Sequence, residues 1–189
     1  MEDGLHRCKD CAVNAVENEA TAKDLAVQAV KLFNTVCGVD LNVAYDLKLV
    51  SATELNHALG IPFRVSDKFD KRKNSGAVMN TIYLEKGVSK NISLGCLIRE
   101  LTALYEIQKL NFMTMKYADP KLTEGLPIYA EYILMKNSGN VDFMNYADRL
   151  KQVYDKGNAA ESEIFKYMNQ KFKGPEFLKT IGRIYSKKA

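Results

Sequence analysis

The sequence predicts an α-rich α+β domain, and three observations predict it. Helical spacing of apolar residues, bounded by cap and stop signals, recurs along most of the chain. Two short stretches, Tyr45–Val50 and Val78–Leu84, read instead as strands. Everything after Leu84 returns to helical spacing. With 189 residues, 47% of them hydrophobic, the chain can bury one core without disulfide staples. Its net charge of +4 is too mild for a nucleic-acid footprint. No run approaches the ~20 apolar residues of a membrane span, and the polar start Met1–Arg7 does not read as a secretory leader. A soluble, cytoplasmic protein with no nucleic-acid or membrane partner is the expectation.

A short helix is expected after Cys11, ending near Asn18-Glu19. Thr21 then reads as the N-cap of a helix that Gly38 stops, with Leu25, Ala29, Leu32, Phe33 and Val36 on its apolar face. In Tyr45–Val50, Tyr45, Leu47 and Leu49 alternate with Asp46 and Lys48, as in a half-buried strand. Ser51-Ala-Thr-Glu54 is a capping box opening a short helix closed by Gly60. Residues 66–76 read as a charged surface loop containing Lys71-Arg72-Lys73, and Val78–Leu84 as the second strand. A long helix spans about Asn91–Asn111. Asp119-Pro120 reads as a break, and Thr123 starts the next helix, which runs to Gly139. Three more follow: Val141 to about Tyr154, Ala160–Phe172, and a last one with Pro175 in its first turn.

Chemistry points to the long helix. A zinc peptidase helix reads His-Glu-x-x-His because two imidazoles at i and i+4 share one face and grip one metal. The Glu beside the first polarises the bound water. In Arg99-Glu100-Leu101-Thr102-Ala103, Glu100 takes the general-base place, while Arg99 and Ala103 stand at the ligand places. Arg offers no lone pair and Ala no donor atom, so neither binds zinc. A third ligand often comes from a Glu-Gly pair on a following helix, and Glu124-Gly125 stands there. An Arg99–Glu124 ion pair filling the empty metal cavity is expected.

Arg99–Ala103 followed by Glu124-Gly-Leu-Pro-Ile-Tyr-Ala-Glu-Tyr132 resembles a Glu-zincin core without its histidines. Cys8-x-x-Cys11-Ala-Val-Asn-Ala-Val, Lys31-Leu32-Phe33, Leu47–Val50 and Glu54-Leu-Asn-His-Ala58 narrow the resemblance to the DA1-like domain, over about Cys8–Tyr132. In the DA1 family this is the C-terminal peptidase domain. It follows LIM-type zinc modules and cleaves ubiquitin-pathway proteins. The resemblance implies a zincin-like fold: a small sheet packed on the long helix, and a C-terminal helical subdomain. It divides the chain into a LIM-like remnant (1–20) and a DA1-like domain (21–189), with a helix–strand part to 90 and a helical part beyond. It carries the catalytic Glu onto Glu100, the downstream metal Glu onto Glu124 and the metal histidines onto Arg99 and Ala103. It also makes Thr81, Ile82, Tyr83 and Leu84 a substrate-edge strand open to a peptide by strand addition.

Cys8 and Cys11 match the pair that completes the zinc site of the preceding module in that family. Here they are either a zinc remnant, with His6 as a further ligand, or a vestige at a helix start. No strand precedes them, which sets aside a thioredoxin-like redox pair. Cys37 and Cys96 sit in apolar helical contexts and read as small hydrophobes. His57 reads as an exposed helix-end residue rather than a replacement ligand, and the aromatic residues read as core. Three functions stay open. The leading one is a pseudopeptidase that binds or regulates a protein or peptide partner, with no cofactor. The others are a zinc metallopeptidase with an atypical ligand set, and a helical interaction domain unrelated to peptidases.

Overall fold

Asn18, not Thr21, caps the helix that Gly38 stops. Its Oδ1 accepts the Thr21 N–H at 2.9 Å, so α1 spans Glu19–Cys37 and starts earlier than the sequence suggested. Gly38 ends it with φ +60°, the left-handed stop expected there. The protein is described from a computed structural model over residues 13–60, 74–109, 119–157 and 160–186. Cys8, Cys11, His6 and the Lys71–Lys73 run lie outside these residues. The helix expected to reach Asn18 ends sooner: Asn14 lies in a turn and Ala15 is already in a β-bridge. Val16 and Gly87 exchange backbone bonds with one another's neighbourhood (Val16 N–H to Val88 O, Gly87 N–H to Val16 O), and Ala15 bridges Ser89.

Among the described residues, three strands form one mixed sheet. β1 (Asp46–Val50) lies one residue short of its expected start and keeps the alternation that Leu47 and Leu49 predicted. The Ser51/Glu54 capping box is present and opens α2 (Ala52–Ala58). The second expected strand is in fact a hairpin, β2 (Ser75–Val78) and β3 (Thr81–Glu85), turned by Met79-Asn80. The turn escapes a sequence reading because Met79 stands where glycine is usual: its φ is +54° and its side chain is 91% exposed. A left-handed conformation costs a non-glycine residue about 1–2 kcal/mol. Met79→Gly is therefore expected to stabilise the protein by about 1 kcal/mol, read as a higher denaturation midpoint at unchanged m-value. The strand order is β1-β3-β2, with β1 parallel and β2 antiparallel to β3.

The described elements after β3 are all helices, as expected: α3 (Lys90–Lys109), α4 (Pro120–Lys136), α5 (Val141–Lys156), α6 (Ala160–Lys171) and α7 (Phe177–Ser186). Asp119-Pro120 is not a break before a helix at Thr123. Asp119 caps α4 by accepting the Lys121 N–H, and Pro120 takes the first turn, where its missing N–H is no loss. Pro175 lies in the turn ahead of α7 rather than in its first turn.

One apolar cluster joins these elements. Phe33 of α1, Ile82 and Leu84 of β3, and Leu94, Leu97, Ile98 and Leu101 of α3 are fully buried within it. It continues through Tyr129, Phe165 and Phe177, which join α4 to α6 and α7. Tyr129 meets Phe177 edge-on at 5.1 Å, and Tyr154 stacks on Phe165 at 4.9 Å. These aromatic residues are core, as their helical spacing indicated. No described helix is long and apolar enough to cross a membrane.

Candidate functional site

Arg99 and Glu131 meet between α3 and α4. Glu131 is the one acid in the run Ile128–Met135, and the apolar periodicity of α4 turns it inward, leaving it 3% exposed. Its Oε2 lies 2.6 Å from Arg99 Nε. The Nε–H is not aimed at that oxygen, so the contact is an ion pair rather than an aligned hydrogen bond. Two phenols from α5 complete the group. Tyr146 donates to Glu131 Oε1 at 2.7 Å, and Arg99 Nη2 donates to the Tyr154 hydroxyl at 2.6 Å. Gly95, one turn before Arg99, makes room: a Cβ there would run into Glu131 Oε1.

The electrostatics follow from burial. Desolvation is the largest single influence and works against the charged Arg99, but the Glu131 carboxylate together with Tyr154, Cys96 and Tyr146 outweighs it and raises the guanidinium pKa. Burial pushes the Tyr154 phenol up to about 12 despite Arg99 beside it, and Tyr146 goes well up through burial and then the Glu131 charge. At neutral pH the cluster is thus a permanent cation held by Glu131, with both phenols protonated.

Other expected site residues fall elsewhere. Glu100, on the half-buried side of α3, accepts a 2.8 Å hydrogen bond from Ser75 Oγ of β2. Cys96 stands beside the same serine, and burial, partly offset by Ser75, lifts its thiol to about 12. It is a packing residue, not a nucleophile, and so is Cys37, whose thiol burial also lifts to about 12. Ala103 is half-buried one turn after Arg99. His57 is exposed in the last turn of α2, as expected for a helix-end residue.

Two expectations are corrected. Glu124 does not pair with Arg99. It is exposed near the start of α4, and Glu131, two turns later on the same helical face, supplies the carboxylate. Gly125 beside it has a packing reason, because a Cβ there would meet Met168 Cγ of α6 at 2.5 Å. Thr81, Ile82, Tyr83 and Leu84 do not form an edge. β3 is the central strand, paired to β1 on one side and β2 on the other, so no peptide can add to it.

A zincin-like fold would imply zinc at this place, and the donor set does not fit. Arg99 has no lone pair, Ala103 has no donor, and Glu124 faces solvent while Glu131 is taken up by Arg99 and Tyr146. Among the described residues, no three His, Cys, Asp or Glu side chains are grouped to hold a metal.

Glu131 was open to a sequence reading, as a lone acid in an apolar helical run. Tyr146 and Tyr154 were not, because nothing local marks which α5 residues turn toward α3. Comparison with protein-family models, with characterised proteins and with solved structures finds no match.

Proposed function

We propose that this chain is a non-catalytic relative of the DA1-like peptidases, a pseudopeptidase of zincin-like fold that binds or regulates a protein partner. The observation that carries the reading is the Arg99 guanidinium, anchored on Glu131 at the helix position where such a peptidase places a metal ligand. A cation built into the chain leaves the neighbouring helix its carboxylate partner while removing the Lewis acid that hydrolysis needs. Glu100, hydrogen-bonded to Ser75, is then a structural residue at the general-base position. Support also comes from the element order, in which a small mixed sheet precedes the long helix and a second helix brings an acid against it.

Elemental analysis tests this. The Cys8→Ser/Cys11→Ser protein is expected to carry no zinc at α3, and a chelator should leave its melting temperature unchanged. Arg99→His with Ala103→His should gain up to one equivalent of zinc, and adding Glu131→Gln should remove it. Zinc retained by the Cys8→Ser/Cys11→Ser protein would overturn the reading. So would a folded Arg99→His/Ala103→His protein that takes up none.

A further inference from the structure

A cleft of about 680 Å³, with Tyr146 in its lining, opens between α1, the first turn of α3 and α5. That volume falls within the ~300–1,000 Å³ range of ligand pockets. Its apolar lining includes Leu25, Phe143 and Leu150, and Val153 stands at its rim, 66% exposed. Two kinds of polar group surround this lining. Gln28 and Asn91 are carboxamides, able to give and take a hydrogen bond each, and neither has a hydrogen bond within the described protein. Lys90 and Arg149 are exposed cations, and neither is ion-paired there. The one acid of the lining, Asp142, sits in the first turn of α5, where the positive end of that helix favours it. The cleft therefore offers an apolar floor, two unused amides and a net positive charge.

We propose that this cleft is a docking site for an acidic peptide segment of a partner protein, one with a large apolar side chain next to a carboxylate. The apolar side chain would lie against Leu25, Phe143 and Leu150. The segment's backbone would meet Gln28 and Asn91, and its carboxylates Lys90 and Arg149. A peptide fits because the cleft is open to solvent between three helices, with free amides for a backbone and exposed cations for carboxylates around one apolar floor. Tyr146 borders both the cleft and the Arg99–Glu131 group, but none of the residues assigned a contact here belongs to that group, so the inference does not rest on the pseudopeptidase reading.

Two capped peptides test it on the full chain: acetyl-Glu-Phe-Glu-Leu-amide and its counterpart with Lys for both Glu. Amide NMR shifts or fluorescence anisotropy would report binding. The acidic peptide should bind, with shifts confined to α1, the start of α3 and α5, and the basic one should bind roughly tenfold more weakly or worse. Lys90→Glu with Arg149→Glu should reverse that preference. Both residues are exposed, and an unchanged circular dichroism spectrum would confirm that the variant is folded. Equal binding of the two peptides, no binding up to about 5 mM, or an unchanged preference in the charge-reversed protein would each overturn the proposal.

Discussion

Arg99→Met is expected to cost about 3–5 kcal/mol, because it strands the Glu131 carboxylate in the protein interior. Glu131 is 3% exposed and cannot recover water where it sits, and Tyr146 alone then faces it. Glu131→Met should cost somewhat less, since Arg99 is one-third exposed and part of its guanidinium can turn to solvent. The informative protein is the double variant, Arg99→Met/Glu131→Met. Two apolar side chains of similar reach would leave no buried charge, so its loss should fall well below the sum of the single losses. Urea denaturation at constant m-value measures all four corners of this cycle. Additive losses would mean that the two charges are independent and that the contact contributes nothing beyond packing.

Glu106 should make the protein less stable as the medium becomes more alkaline. It is 5% exposed on α3, its Oε1 has no hydrogen-bond partner, and burial lifts its pKa to about 9. The unfolded chain releases this proton near the ordinary value of 4.5, whereas the folded chain holds it until about pH 9. Between those limits the folded state binds the extra proton. Stability is therefore full below about pH 4.5, falls steadily as pH rises, and levels off above about pH 9. At 1.36 kcal/mol per pH unit, the loss by pH 7 is about 3 kcal/mol. Glu106→Gln keeps the shape and removes the titration, so it should match the parent near pH 4 and exceed it by pH 8. Glu106→Leu should also remove the unpartnered oxygen and be the more stable of the two. Denaturation midpoints at pH 4.5, 6 and 8 would show this. Parallel profiles for parent and Glu106→Gln would mean that the carboxyl is charged and partnered when folded.

The elements most legible in the sequence were those whose ends are fixed by local chemistry. Gly38 and the Ser51/Glu54 box act through their own neighbouring backbone groups, and both are where the sequence placed them. Local chemistry was also misread where two signals competed. Asn18 outbid Thr21 as a cap, and Asp119-Pro120 opened a helix instead of breaking one. The β2–β3 turn was hidden because its left-handed residue is Met79 and not a glycine. The central place of β3 was beyond reach for a different reason. Strand order depends on pairing between distant segments, and Thr81–Glu85 reads the same at an edge or in the middle. Within the candidate site, the spacing on α3 rightly set Arg99 apart. Its partner was misassigned by two helical turns, from Glu131 to Glu124, because the Glu-Gly pattern drew attention from the acid that the apolar face of α4 buries.

The order of strands also bears on how this chain assembles. β2 and β3 are joined by two residues, so their ladder can close within the microseconds typical of hairpins. β1 meets β3 only after the whole intervening stretch, α2 and β2 included, has been looped back, and loop closure slows contacts of that kind. The hairpin is therefore expected to close first and β1 to join it later, at the edge of the sheet. In the native protein, amide protons of Leu47–Val50 should exchange with solvent ahead of those of Ile82–Leu84, which two neighbours guard.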